Sequence, residues 1–289
     1  MKPIRYILAL ICLLCLCSCE ETGMSISEPQ IVIEGWIENG SSPVVILTSS
    51  VAVTEEIKDV NELRDYIITW GKVTISDGTQ SVVLTGSRNN NYFPPYIYTT
   101  SKIKGEVGKT YDITVEYGNR TATSSTTIPE PAQLEYLKAN LSEEDSESVY
   151  LTAGLKDDPE KKNYYKTFIK IQNKDTYYQP SFMGLFDDVV LSEGIDEIPV
   201  NNCVSNLFEK RNSNFNVADT VMVRFCTMDE TSFQYWSDYD TISSLSTNPF
   251  FPATTKIRSN IRGGLGYWAG YGATYYTVAI PENLADQTR

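Results

Sequence analysis

The sequence predicts a mostly β protein: an N-terminal β-sandwich, then a larger β-rich domain with one packed helix. Three observations lead there. Nineteen Tyr and ten Phe, with many Thr and Val, favour extended backbone. Short apolar runs recur between turns built from Gly, Pro, Asn and Asp. Only Asp229 to Leu245 carries a long helical pattern.

Ile31 to Ile37 and Val44 to Thr48 read as a hairpin across Asn39-Gly40-Ser41-Ser42-Pro43. Residues 54–65 place Ile57, Val60 and Leu63 at threes, a short helix or ordered loop. Tyr66 to Trp70 and Lys72 to Ile75 are extended. Asp77-Gly78 marks a tight turn into Gln80 to Thr85, because Asp-Gly accepts positive φ. Tyr96 to Tyr98 is a short strand after Pro94-Pro95. Tyr111, Ile113, Val115 and Tyr117 alternate with polar residues, the pattern of a half-buried strand. Gly118-Asn119 turns into Arg120 to Ile128. Seven or eight strands in about a hundred residues suit an antiparallel sandwich of immunoglobulin-like or transthyretin-like type.

Pro129-Glu130-Pro131 is the linker candidate, since two prolines break helix and ladder alike. Beyond it, Val149 to Leu155, Tyr164 to Ile171, Thr220 to Met228 and Thr274 to Ile280 read as strands. Residues 172–216 give no regular pattern. Pro249 and Pro252 end anything helical after Leu245. The expected division is a leader over 1–18, a tether over 19–29, a sandwich over 30–130 and a β-rich domain over 131–289.

The leader reading comes from the N-terminus. Lys2 and Arg5 precede an uncharged run from Tyr6 to Leu16. That run is too short for a membrane-spanning helix, which needs about 20 residues. Its shape is that of a secretory signal. Leu16-Cys17-Ser18-Cys19 resembles the bacterial lipobox, which implies cleavage before Cys19 and lipidation of its thiol. Cys19 is therefore the expected lipid site. The acidic pair Glu20-Glu21 resembles a surface-export signal, so the expected location is the outer membrane, lipid-anchored and facing the cell surface, with the periplasmic face as the alternative. Each buried methylene of an acyl chain contributes about 0.8 kcal/mol, so several chains hold a body at a bilayer without a spanning helix.

Composition narrows the function. Residues 1–18 hold two basic and no acidic residues, so a chain beginning at Cys19 has 22 basic and 37 acidic residues, net −15. Such a surface repels phosphate backbones, and no nucleic-acid partner is expected. Histidine is absent throughout. That excludes Ser-His and Cys-His nucleophiles and histidine-containing zinc sites. Asp157-Asp158, Asp187-Asp188 and Glu143-Glu144-Asp145 lack the every-second-residue spacing of a calcium loop. Gly263-Gly264-Leu265-Gly266 lacks the order of a phosphate cradle and reads as a tight bend or bulge. No cofactor, metal or catalytic residue is expected.

Cys203 and Cys226 remain in the body. Outside the cytoplasm they are a candidate disulfide, worth about 3 kcal/mol in the chain-entropy picture; the alternative is two buried free thiols. Four aromatics are candidates for contacting a ligand or partner. Phe182 and Phe186 lie in the unassigned region, and Tyr267 and Trp268 follow the glycine cluster. Core packing is the ordinary use of aromatics in strands.

Several stretches together resemble one family: Ile33-Glu34-Gly35-Trp36-Ile37, Gly105 to Tyr111, Asp219-Thr220-Val221, Phe233 to Trp236, Ser259-Asn260-Ile261 and Gly264 to Trp268. Their order is similar to that in the lipoproteins labelled domain of unknown function 4249. That resemblance implies a Bacteroidota-type outer membrane and a gene neighbourhood with TonB-dependent receptors. It implies no catalytic residues. The expected function is a non-enzymatic binding or accessory subunit serving a TonB-dependent transporter. The alternatives are a surface-assembly or adhesin subunit and a carboxylate-based glycan hydrolase.

Overall fold

The structure, a computed structural model, describes residues 29–51, 60–142, 145, 147–192, 194–203, 212–245 and 257–284. The leader over 1–18, Cys19, the tether before Pro29, the start of the 54–65 segment, Glu143-Glu144, Pro249 and Pro252 lie outside the described residues.

Local chemistry explains the first elements. Ile31–Glu38 (β1) and Val44–Ser49 (β2) pair antiparallel across a turn in which Gly40 takes φ +75°. Lys72–Ser76 (β3) and Ser81–Val83 (β4) close over Asp77-Gly78. There Asp77 Oδ1 accepts the N–H groups of Thr79 and Gln80 at 2.9 and 2.8 Å, and Gly78 supplies φ +83°. Thr85–Arg88 (β5), Tyr96–Thr99 (β6), Thr110–Tyr117 (β7) and Arg120–Thr127 (β8) complete the N-terminal half. Leu134–Leu141 (β9), Ser148–Lys156 (β10), Tyr164–Ile171 (β11), Gln179–Asp187 (β12), Ile195–Val200 (β13), Phe215–Asn216 (β14) and Thr220–Met228 (β15) follow. Glu230–Leu245 is the helix α1, and Leu265–Ala279 is β16. Asp229 caps α1, its Oδ1 accepting the Ser232 N–H at 2.7 Å.

Eight strands form one sheet in the order β12-β11-β15-β16-β1-β2-β6-β5. β1 and β16 pair in parallel, from Val32 opposite Leu265 to Glu38 opposite Tyr271. Every other ladder among the described strands is antiparallel. Two smaller sheets, β4-β3-β7-β8 and β13-β10-β14 with β9 on β10, lie side by side over one face. Beneath the first, Ile33, Leu47, Ile113, Val115 and Trp268 form a core. Beneath the second, Leu151, Ile169, Val223, Phe225 and Phe215 form another. The opposite face of the large sheet carries α1, with Trp236 on Tyr267, Ala269 and Tyr271.

The chain is therefore mostly β, with sandwich packing as expected. The Pro129–Pro131 boundary divides neither the large sheet, which takes strands from both sides of it, nor the first core, which takes Ile261 and Trp268 from beyond it. The last strand starts at Leu265 rather than Thr274. Its first half is covered on both faces, so it shows no alternation to read. Residues 172–216, which gave no pattern, contain β12, β13 and β14.

Cys203 and Cys226 are both buried and not joined in a disulfide in the structure, which is the alternative the sequence left open. They pack into separate hydrophobic clusters. Cys226 is fixed in mid-ladder between Lys166 of β11 and Ala273 of β16, so the sheet and not a partner thiol sets its position.

Candidate functional site

Strand alternation sends Glu34, Trp36 and Glu38 of β1 to the helix-bearing face. Registry puts Tyr267 beside Glu34, and Arg224 of β15 between Phe168 and Tyr275. Over this floor stands a cavity of about 1140 Å³. Its walls are Tyr235, Trp236 and Tyr239 of α1, Tyr177 and Tyr178 before β12, and Tyr92. One end of the floor is apolar, with Val44, Ile46 and Ile97 packed against Trp36 and Tyr92.

Two ion pairs lie in this layer. Arg224 Nη1 donates to Glu38 Oε1 at 2.9 Å, and the Tyr275 hydroxyl donates to the other oxygen of Glu38. The guanidinium lies 4.1 Å from the Phe168 ring centre, with Trp36, Tyr178 and Tyr271 at 5.5–5.8 Å. Its Nε is buried without a hydrogen-bond partner. Lys166 is fully buried on β11 and reaches both oxygens of Asp240 on α1, at 3.1 and 2.9 Å. Burial pulls the Lys166 ammonium pKa down, and Asp240 opposes this. Asp240 thus holds α1 to the sheet, together with the Trp236 indole N–H donating to the Tyr271 hydroxyl at 2.9 Å.

Glu34 differs from both pairs. Its carboxylate accepts a 3.3 Å hydrogen bond from the Tyr267 hydroxyl. The carboxyl opens onto the cavity while protein crowds it elsewhere. Burial pushes its pKa from 4.5 up to about 7, against the Tyr267 hydrogen bond and the charge of Arg224. Burial also raises the phenol pKa of Tyr177, Tyr235, Tyr239 and Tyr267, and the Glu34 charge adds to that in all four. The Tyr235 and Tyr267 rings meet tilted, with centres 4.5 Å apart, and Trp236 lies 5.6 Å from Tyr267.

The four candidate aromatics divide evenly. Phe182 and Tyr267 line the cavity, Phe182 on its outer rim at 43% exposure beside Met183 at 69%. Trp268 does not: it is fully buried in the N-terminal core, its indole N–H donating to the Tyr111 carbonyl at 2.9 Å. Phe186 packs on Tyr165 and Phe225, with centres 5.3 and 6.5 Å away. Cys203 also reaches the cavity wall. Sequence reading missed Glu34, Lys166 and Arg224. The available signal was a charge inside an otherwise apolar strand, Lys166 and Lys170 in Tyr164 to Ile171 and Arg224 in Val221 to Met228.

A family model described as Domain of unknown function (DUF4249) matches residues 20–277. The chain belongs to this family. The DUF4249 match takes in the first core, α1 and all the strands that floor the cavity but the last two residues of β16; Ile280 and Leu284 of the second core lie beyond it. No curated protein matches the chain. No helix among the described residues of this DUF4249 protein is long and apolar enough to cross a membrane.

Proposed function

We propose that this DUF4249 protein is a non-enzymatic binding lipoprotein of the outer membrane, tethered through Cys19 and serving a TonB-dependent transporter. The observation that carries the binding part is the aromatic-walled cavity of about 1140 Å³ on the helix-bearing face. Ligand sites are concave, mostly apolar, and carry a few placed polar groups, which describes this cavity. Glu38 and Asp240 are each held by a cation, so the carboxylates of the cavity do not form a free pair flanking a scissile bond. The tether is supported by the Leu16-Cys17-Ser18-Cys19 pattern and its acidic successors.

Pull-down of the native protein from detergent extracts tests the partner. An outer-membrane receptor should co-purify, and its absence under every growth condition overturns the accessory role. Mass spectrometry of the mature N-terminus tests the tether. An acylated Cys19 supports it, and an unmodified N-terminus on protein free in the medium overturns it.

A further inference from the structure

Resting on the binding role proposed above, we infer that the cavity takes an organic cation, a protonated amine or quaternary ammonium on an apolar body, with Glu34 as its counter-ion. The reasoning is a count of which charges in the cavity are already matched. Arg224 is paired through Nη1 with Glu38, whose other oxygen accepts from Tyr275, and Phe168 covers the guanidinium, leaving its buried Nε without a partner. Lys166 is closed by both oxygens of Asp240. Lys170, on the same sheet face, donates to the Thr176 carbonyl at 2.9 Å. An anionic ligand therefore meets two cations already paired with carboxylates, and a third, Lys170, whose contact with the Thr176 carbonyl lies at the exposed edge. Glu34 is held by one neutral phenol at 3.3 Å.

The surroundings of Glu34 fit a cation. Along β1 its same-face neighbour is Trp36, and across the strands its neighbours are Ile46 and Tyr267. Tyr235, in tilted contact with Tyr267, faces it from α1. Aromatic faces around a carboxylate attract an ammonium group, through the ring quadrupole and the charge together, at a site that sheds its water. Beyond Glu34 the floor turns apolar at Val44, Ile46 and Ile97, which suits a ligand whose remainder is uncharged. The cavity has far more room than one ammonium group occupies, so the body of the ligand lies inside it too.

A cation also explains how a carboxylate can be kept in this place. Bound beside Glu34, it favours the ionised form, so binding releases the proton that Glu34 otherwise holds near neutral pH. Affinity for a permanent cation therefore rises with pH as Glu34 loses its proton. The groups that face Glu34 are Tyr267 from β16, Arg224 from β15, Tyr235 and Tyr239 from α1, and Tyr177 from the segment before β12. All four phenols are shifted upward and Arg224 stays charged, so Glu34 is the group that titrates in this range.

The test uses the full chain in non-ionic detergent with two probes of one shape, choline and its neutral isostere 3,3-dimethyl-1-butanol. Titration is followed by calorimetry and by the fluorescence of Trp36 and Trp236. Choline should bind at least tenfold more tightly, more so at higher pH. Glu34→Gln should erase that preference while leaving the far-ultraviolet circular dichroism unchanged. Tyr235→Leu, which removes a wall and keeps the carboxylate, should weaken choline more than the isostere. Equal binding of the two probes, or a choline preference that survives Glu34→Gln, overturns the cation assignment and leaves the binding role standing. Failure of both probes and of a panel of neutral sugars and anionic acids to bind overturns the binding role itself.

Discussion

Arg224 and Glu38 meet at 2.9 Å across 186 residues of sequence, and the meeting joins the two halves of the chain inside one sheet. Both side chains are almost wholly shielded from bulk water. Desolvation makes such a pair a weak source of net stability, but breaking it leaves an uncompensated charge. Glu38→Ala is expected to cost about 3–5 kcal/mol in urea unfolding for that reason. The double variant Glu38→Leu, Arg224→Met should be markedly milder than either single change. A Glu38→Ala loss smaller than that of the double variant would sink this account.

Glu34 makes stability fall as pH rises. Its carboxyl pKa goes from 4.5 up to about 7. Below pH 4.5 both the folded and the unfolded chain hold the proton. Between 4.5 and 7 the unfolded chain releases it and the folded chain keeps it, so the penalty grows through that window. It is complete above pH 7 and amounts to at most about 3 kcal/mol. Glu34→Gln should therefore melt higher than the wild type above pH 7, and the gap should close toward pH 4.5. Melting curves across that range decide the matter; parallel curves would rule the mechanism out.

Gly266 sits at φ +98°, and a Cβ there would lie 1.9 Å from the Ile33 carbonyl oxygen. Gly266→Ala must therefore push β16 off β1 where the two sheet halves join. The expected loss is above about 3 kcal/mol, since backbone strain alone costs about 1–3. Gly40→Ala is the control, with φ +75° and open space around it. It should cost only about 1–2 kcal/mol, the price of a left-handed alanine. Equal losses at the two positions would mean that conformation, not the close approach to Ile33, governs both.

The thiols of Cys203 and Cys226 are buried and not joined in a disulfide. Burial pushes the Cys226 thiol pKa upward, so little thiolate forms near neutral pH. Alkylation of the native protein without reductant, followed by peptide mapping, should label Cys226 only very slowly. Denaturation without reductant should expose both to full labelling. A disulfide-linked peptide pair under those conditions would contradict this.

The strands with one wet face were the legible ones. Ile113 and Val115 alternate with solvent-facing neighbours, and that alternation can be read from the chain. α1 was legible too, because Phe233, Trp236 and Asp240 share one stripe and Asp229 caps the start. The first half of β16 was not, because Tyr267, Trp268 and Ala269 are covered on both sides and carry no period. Half of the cavity aromatics were misplaced for a related reason. Tyr267 and Trp268 are neighbours of the same chemical kind, and only strand parity sends one to the cavity and the other to the core.

The sequence by itself determined the β-rich class, the turns at Gly40 and Gly78, the extent of α1, and a body that carries no histidine chemistry. Tertiary structure alone decided that β1 lies against β16, and with it that Glu34, Arg224 and Lys166 share one face of one sheet. The physical reason is range. Turn and periodicity preferences act over a few residues and leave a mark in the local pattern. Pairing between strands more than two hundred residues apart depends on which apolar faces find cover, and no local stretch records that choice.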